Sequence, residues 1–128
     1  MEKGQKFEIP LVISEEIYNG FLQIFKDYNP LHTDSTHAKS KGFSDKVMHG
    51  NILNGLISYF VGECLPIKNV ILLSQSIKYN KPIYLNDSIL FKAEIVDIFS
   101  SVNLIEIKYS FYKKEHLVAK GTIQVGII

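Results

Sequence analysis

Between Phe25 and Asn51 the chain reads FKDYNPLHTDSTHAKSKGFSDKVMHGN, and Asp27, Asn29, Pro30 and His32 fall inside one short run of it. A carboxyl and an imidazole this close, stiffened by an intervening proline, can face one small volume without help from distant parts of the chain. The stretch closes on His49-Gly50, directly ahead of the most apolar helical run in the sequence. A glycine at a helix start offers backbone N–H groups that the helix itself leaves unpaired. Proton-transfer groups beside such donors are what acid–base chemistry on a carbonyl compound requires. The same residues also have a plainer meaning. Asp-x-Asn-Pro is common turn vocabulary, and a loop histidine needs no function. The apolar Leu31 beside His32 tips the loop inward, and on residue types alone the two readings stand level.

The elements that must hold these groups are legible in the periodicity. Residues 7–13 form a short apolar segment that Pro10 confines to a sheet edge or an extended arm. Ser14 suits an N-cap, Glu15 and Glu16 suit a first turn, and Ile17, Phe21, Ile24, Phe25 and Tyr28 share one helical face. That helix must stop near Lys26 or Asp27, because Asn29 precedes a proline. Residues 35–41 predict a short helix capped by Ser35 and ended by Gly42. From Gly50 to Gly62 the chain is apolar on most sides, through Ile52, Leu53, Leu56, Ile57, Phe60 and Val61, which predicts a helix covered all round. Asn51, Gly55, Ser58 and Gly62 make one stripe of small residues along it, where a backbone or slender ligand can come close.

The second half alternates. Leu73, Gln75, Ile77 and Tyr79 share a strand face, as do Phe91, Ala93 and Ile95, then Ile105, Ile107, Tyr109 and Phe111, then Leu117, Ala119, Ile123 and Val125. Period two with one dry face means antiparallel strands. Turns fall at Asn86-Asp87, Ser100-Ser101 and Lys114-Glu115-His116. A buried helix followed by four strands predicts an α+β unit, one antiparallel sheet wrapped around a long central helix, filling residues 1–128 as one domain. Such a layer pair leaves apolar surface over, and the edge of the terminal strand invites pairing, so a homodimer is expected.

Composition narrows the function. Apolar residues are 46% and charged residues 21%, which is globular rather than disordered, and a net charge of +1 gives no electrostatic reason to bind nucleic acid. Every basic residue is Lys, so the bidentate arginine fork for carboxylate or phosphate is absent. The single cysteine, Cys64, fits a reducing compartment, and no apolar run reaches the ~18 residues that cross a bilayer, so a cytoplasmic protein with no membrane partner is expected.

The run DYNPLH from Asp27 to His32, with Ala38, Gly42-Phe43 and VMHG from Val47 to Gly50, resembles the signature of the MaoC-like (R)-specific enoyl-CoA hydratases. The similarity covers nearly the whole chain, since PIYLNDS at 82–88 also sits where that family places its strands after the helix. The resemblance implies a hot-dog fold, a homodimer with sites near the subunit boundary, and reversible hydration of trans-2-enoyl thioesters to (R)-3-hydroxyacyl thioesters carried on coenzyme A or an acyl-carrier protein. It assigns Asp27 and His32 as the catalytic pair, Asn29 as loop support and the Gly50 backbone N–H as the group that polarises the carbonyl. His49 helps to pin the loop, and Asn51, Ile52 and Leu53 line the substrate side of the helix start. No metal or redox cofactor is implied. The chain departs from the family at Lys26, where a glycine commonly precedes the acid, and at Asn86-Asp87, where Gly-Asp is common.

Other candidates have plainer explanations. His32, His37 and His49 fit no common zinc spacing. Cys64 lacks a paired motif, Ser58 reads as packing, and Lys78 and Lys81 read as solvated strand ends as well as possible phosphate contacts. Two other functional classes remain open: a hot-dog thioesterase, and a non-catalytic subunit that binds acyl thioesters.

Overall fold

The computed structural model describes residues 1–128. Its frame is one five-stranded antiparallel sheet built from β1 (Lys6–Val12), β2 (Val70–Tyr79), β3 (Ser88–Phe99), β4 (Leu104–Lys113) and β5 (His116–Ile127), in the spatial order β1-β3-β4-β5-β2. The alternation seen in the sequence sets its two faces. Phe91, Ala93 and Ile95, then Ile105, Ile107, Tyr109 and Phe111, then Ala119, Ile123 and Val125 are all buried on the inner face. β1 pairs only with β3, so Pro10 sits on an edge strand, where its missing N–H costs little.

Four helices precede β2: α1 (Glu15–Phe25), α2 (Pro30–Thr33), α3 (Ser35–Ser40) and α4 (Asn51–Tyr59), the last running on into a π-turn at Phe60–Cys64. Helix α4 places Ile52, Leu53 and Ile57, with Phe60 and Val61 of the turn, into the core against the sheet. Burying a side chain of this kind stabilises by roughly 1.5–3 kcal/mol, so this one face fixes the helix on the sheet. No helix of the molecule is long and apolar enough to cross a membrane.

Five expectations need correction. Helix α4 is not covered on most sides within the chain, because Asn51, Gly55, Ser58, Tyr59 and Gly62 form an exposed stripe and only the opposite face meets the sheet. The predicted apolar face of α1 is largely outside the core: Ile17 and Phe21 are partly buried, Ile24, Phe25 and Tyr28 stand in solvent, and Tyr18 is the buried residue. Asp34, not Ser35, caps α3, its Oδ1 accepting the His37 N–H at 3.1 Å. A carboxylate one residue earlier reaches the free N–H better, and the Ser35 hydroxyl donates instead to Asp45. In β2 the register shifts between Leu72 and Ser74, which pairs Leu72 with Val125 and leaves Leu73 bulged and exposed. The terminal strand β5 is also interior to the sheet; β2, crossing over after α4, takes the edge beside it.

Candidate active site

Helix α1 begins where Ser14 Oγ accepts the Ile17 N–H at 3.2 Å, and ends where Lys26 turns into the left-handed region at φ 59°. That reversal throws Asp27 off the helix axis and starts the loop. Asp27 Oδ1 then accepts the Asn29 N–H at 3.2 Å, and Asn29 Oδ1 accepts the Leu31 N–H at 3.0 Å, capping α2 with Pro30 at its first position. The turn reading of this run is therefore realised. One carboxyl oxygen makes the turn, and the other, Oδ2, is left facing His32.

His32 sits in α2 with both of its anchors in place. Its carbonyl accepts the Tyr18 hydroxyl at 2.6 Å, and its Nδ1–H donates to the Val47 carbonyl at 2.7 Å. A donor at Nδ1 makes Nε2 the lone-pair nitrogen of the neutral ring. That Nε2 lies 3.7 Å from Asp27 Oδ2. The ring of His32 stacks on His49 at a centroid distance of 4.0 Å, and His49 in turn lies 4.6 Å from Phe21.

His49 is buried, and its Nε2–H donates to the Asp27 backbone carbonyl at 2.9 Å, tying the loop to the start of α4. Its Nδ1 is buried without a partner. The approach to this helix is pinned from the sheet side as well. The Met48 N–H donates to the Ile83 carbonyl, and the turn that carries Ile83 is closed by Asp87, whose Oδ2 accepts the Tyr84 N–H at 2.8 Å while Lys113 contacts its other oxygen at 2.7 Å. Asn86 in that turn adopts φ 68°, a conformation that glycine takes without strain.

These groups open on one cavity of about 500 Å³, walled by Phe21, Phe43, Val47, Leu53, Tyr79, Pro82 and Ile83, with Asp27, His32, His49, Gly50 and Asn51 at its polar end. The Gly50 N–H has no acceptor within the chain. Of the residues singled out in the sequence, Asp27, His32, His49, Gly50, Asn51 and Leu53 meet in this cavity. Asn29 stays behind the loop as its cap. Ile52 does not line the cavity; it is buried in the core and borders a separate groove between α1 and α4. His37 lies in α3, and Ser58 and Cys64 lie farther along the α4 segment, all three outside the cavity. Lys81 lines the cavity and Lys78 does not.

Tyr18, Tyr79 and the Val47 carbonyl were not anticipated. Tyr79 lay at the end of a predicted strand face, and only the crossover of β2 brings it to the helix start. Tyr18 gave a weak signal, as a bulky residue on a helix whose predicted apolar face excluded it.

Ligand atoms of Asp27, His32 and His49 come within 4.8 Å of one another. His49 Nε2, however, is spent on a backbone carbonyl, which leaves Asp27 Oδ2 and His32 Nε2 as the open pair. Catalytic zinc sites use three protein ligands and an open position, one ligand more than this open pair supplies.

The MaoC like domain family matches residues 1–115. An (R)-specific enoyl-CoA hydratase of Aeromonas caviae is 30% identical over 95 residues, covering 74% of this chain and 71% of that protein. A mitochondrial 3-hydroxyacyl-(acyl-carrier-protein) dehydratase of Arabidopsis thaliana is 26% identical over 99 residues, covering 77% of this chain and 58% of that protein. The matched segments thus span between about half and three-quarters of these relatives' own lengths. The solved structure of an (R)-hydratase from A. caviae involved in PHA biosynthesis superposes with a TM-score of 0.91 at 25% identity, covering 100% of this chain and 98% of that one. With the same hot-dog arrangement of sheet and helix, and a family match running from the first strand into the last hairpin, the chain belongs to the MaoC-like hydratases and dehydratases.

Proposed function

We propose that the protein adds water across the double bond of trans-2-enoyl thioesters to give (R)-3-hydroxyacyl thioesters, and eliminates it in reverse. The observation that carries this reading is the 3.7 Å gap between Asp27 Oδ2 and His32 Nε2. The gap is too long for a direct hydrogen bond, yet a single water can reach both atoms at about 2.8 Å. In hydration, His32 Nε2 takes one proton from that water while Asp27 Oδ2 holds the other, and the oxygen forms its bond to C3. The C2=C3 electron pair moves toward the thioester carbonyl. The proton held on His32 is then delivered to C2, so that one H and one OH have been added and neither group is changed. Charge gathers on the carbonyl oxygen during attack, and the free N–H of Gly50 at the start of α4 supplies a donor for it. Each proton-transfer group is worth about 10²–10⁴ in rate.

The addition moves a proton and a hydroxyl and no net electrons, so the proposed reaction takes no redox cofactor. Coenzyme A or phosphopantetheine enters as the carrier of the substrate. The names of the A. caviae and A. thaliana relatives, one acting on enoyl-CoA and one on a carrier-protein thioester, support the thioester class.

Incubation with crotonyl-CoA tests the reading. Loss of the enoyl absorbance with formation of (R)-3-hydroxybutyryl-CoA is expected, and Asp27→Asn and His32→Ala should each abolish it while the fold persists. Undiminished turnover by either variant would remove the assigned roles. Release of free thiol, followed with a thiol reagent, would make the protein a thioesterase, and tight binding without turnover would make it a binding subunit.

A further inference from the structure

Tyr79 ends β2 beside the first turn of α4, and its hydroxyl has an unusual hydrogen-bond balance. A β-carbon placed on Gly50 would lie 2.8 Å from Tyr79 Cε1, 2.9 Å from Cζ and 3.2 Å from the hydroxyl oxygen. The phenol therefore occupies the space of a side chain at Gly50, pressed against the backbone whose N–H is free. From the other side, Asn54 Nδ2 donates to the Tyr79 oxygen at 3.4 Å. Asn54 is itself oriented by Gln75, whose side-chain amide donates to its Oδ1, and it donates its other proton to Asn51 Oδ1 at 2.7 Å. This small chain of amides uses a lone pair of the phenol oxygen, and the phenol's own proton has no acceptor in the protein. Two unspent donors, one backbone and one phenolic, thus adjoin in the wall of one cavity.

We propose that Tyr79 is a catalytic residue, its O–H joining the Gly50 N–H in holding the thioester carbonyl oxygen as negative charge builds on it. The inference rests on the thioester reading of the site and adds the second donor to it. A carbonyl oxygen has two lone pairs, and a single amide satisfies one of them. A donor fixed in advance stabilises the developing charge without reorganising during the reaction. Burial raises the Tyr79 phenol above its usual range, so it keeps the proton it is to donate through neutral and mildly alkaline pH. The ring also explains the glycine: any side chain at position 50 would displace the phenol from the helix start.

Tyr79→Phe keeps the ring and removes only the hydroxyl. For crotonyl-CoA the variant should lose about 10²-fold in kcat with KM within about twofold, because the interaction strengthens only in the transition state. A second readout uses cinnamoyl-CoA bound to the Asp27→Asn protein, in which turnover is blocked. Carbonyl polarisation shifts the absorption of this conjugated thioester to the red, and adding Tyr79→Phe should shrink the shift. Full kcat in Tyr79→Phe would overturn the proposal. So would a rise in KM alone with the red shift intact, which would make Tyr79 a wall of the pocket. Absence of hydration by the unaltered protein would overturn the activity reading itself, and this inference with it.

Discussion

His49 illustrates how much of the site depends on a residue to which no proton transfer is assigned. Its Nε2–H is the link between the Asp27 carbonyl and the start of α4, and its ring is held between His32 and Phe21. His49→Phe keeps the stack and leaves that carbonyl without its donor. A loss of about 1–3 kcal/mol is expected for the orphaned group, read by urea denaturation. Hydration should fall together with it, since the acid is no longer fixed opposite His32. Lys26 is the converse case. It holds φ 59°, and its exposed side chain makes no ion pair with Asp27, whose neighbours are the His32 and His49 rings. The left-handed turn costs an ordinary residue about 1–2 kcal/mol, part of which glycine returns through its freer unfolded chain. Lys26→Gly should therefore raise stability by about 0.5–1 kcal/mol with turnover unchanged, checked by thermal melting beside the crotonyl-CoA assay. The sequence showed Asp27, Asn29 and His32 clearly because they interact within six residues, a distance at which turn chemistry alone brings groups together. It did not show that Asp27 divides its two oxygens between a turn and a histidine, because that division depends on Val47, Tyr18 and His49 arriving from other elements.

Among the elements, the β2–β5–β4 ladder contains the most tightly enclosed glycine of the chain. Gly121 of β5 pairs with Ile77 on one side and Tyr109 on the other, and a β-carbon there would lie 1.8 Å from the Ser76 carbonyl oxygen and 2.6 Å from the Tyr109 hydroxyl. The missing side chain lets Tyr109 reach across β5 and donate to the Ser76 carbonyl at 2.6 Å. Backbone cannot yield as a flexible side chain does, so Gly121→Ala should cost about 3 kcal/mol or more, seen as a large fall in the denaturation midpoint. The same phenol gives a pH test. Burial first, and the neighbouring Tyr79 second, push Tyr109 from 10.0 up to about 12. A raised folded value means that its contribution is complete below pH 10 and is lost as pH rises through about 12. Tyr109→Phe should start less stable at neutral pH and show a shallower decline across that alkaline window in denaturation curves measured at several pH values. Sequence periodicity located every strand, because alternation is a local property of a half-buried sheet. It missed the bulge at Leu73, which shifts a register only when β5 is present to pair with, and it could not see that β2 crosses to the far edge.

At the scale of the whole molecule, the open edge of β2 is what remains unpaired. β1, the other edge, carries Pro10, whereas β2 presents Ile71, Leu72 and Leu73 exposed along its length and Tyr79 exposed at its end. A long apolar edge strand of this kind is a template for another chain, and a two-fold axis through it pairs each strand with its own copy. We expect a homodimer built on β2, not on the interior β5. Antiparallel pairing of two such edges sets the Tyr79 end of one strand beside the Val70 end of the other, which puts each cavity next to the subunit boundary. The dimer and the site are then linked through one strand. Leu72→Lys with Leu73→Lys places two charges on that edge, and sedimentation should show a folded monomer where the unaltered protein shows a dimer. If the boundary closes the cavity, the monomer should also lose hydration, although neither substituted residue lines it. A monomeric unaltered protein in sedimentation would remove the β2 interface, and a monomeric variant with full turnover would separate assembly from catalysis.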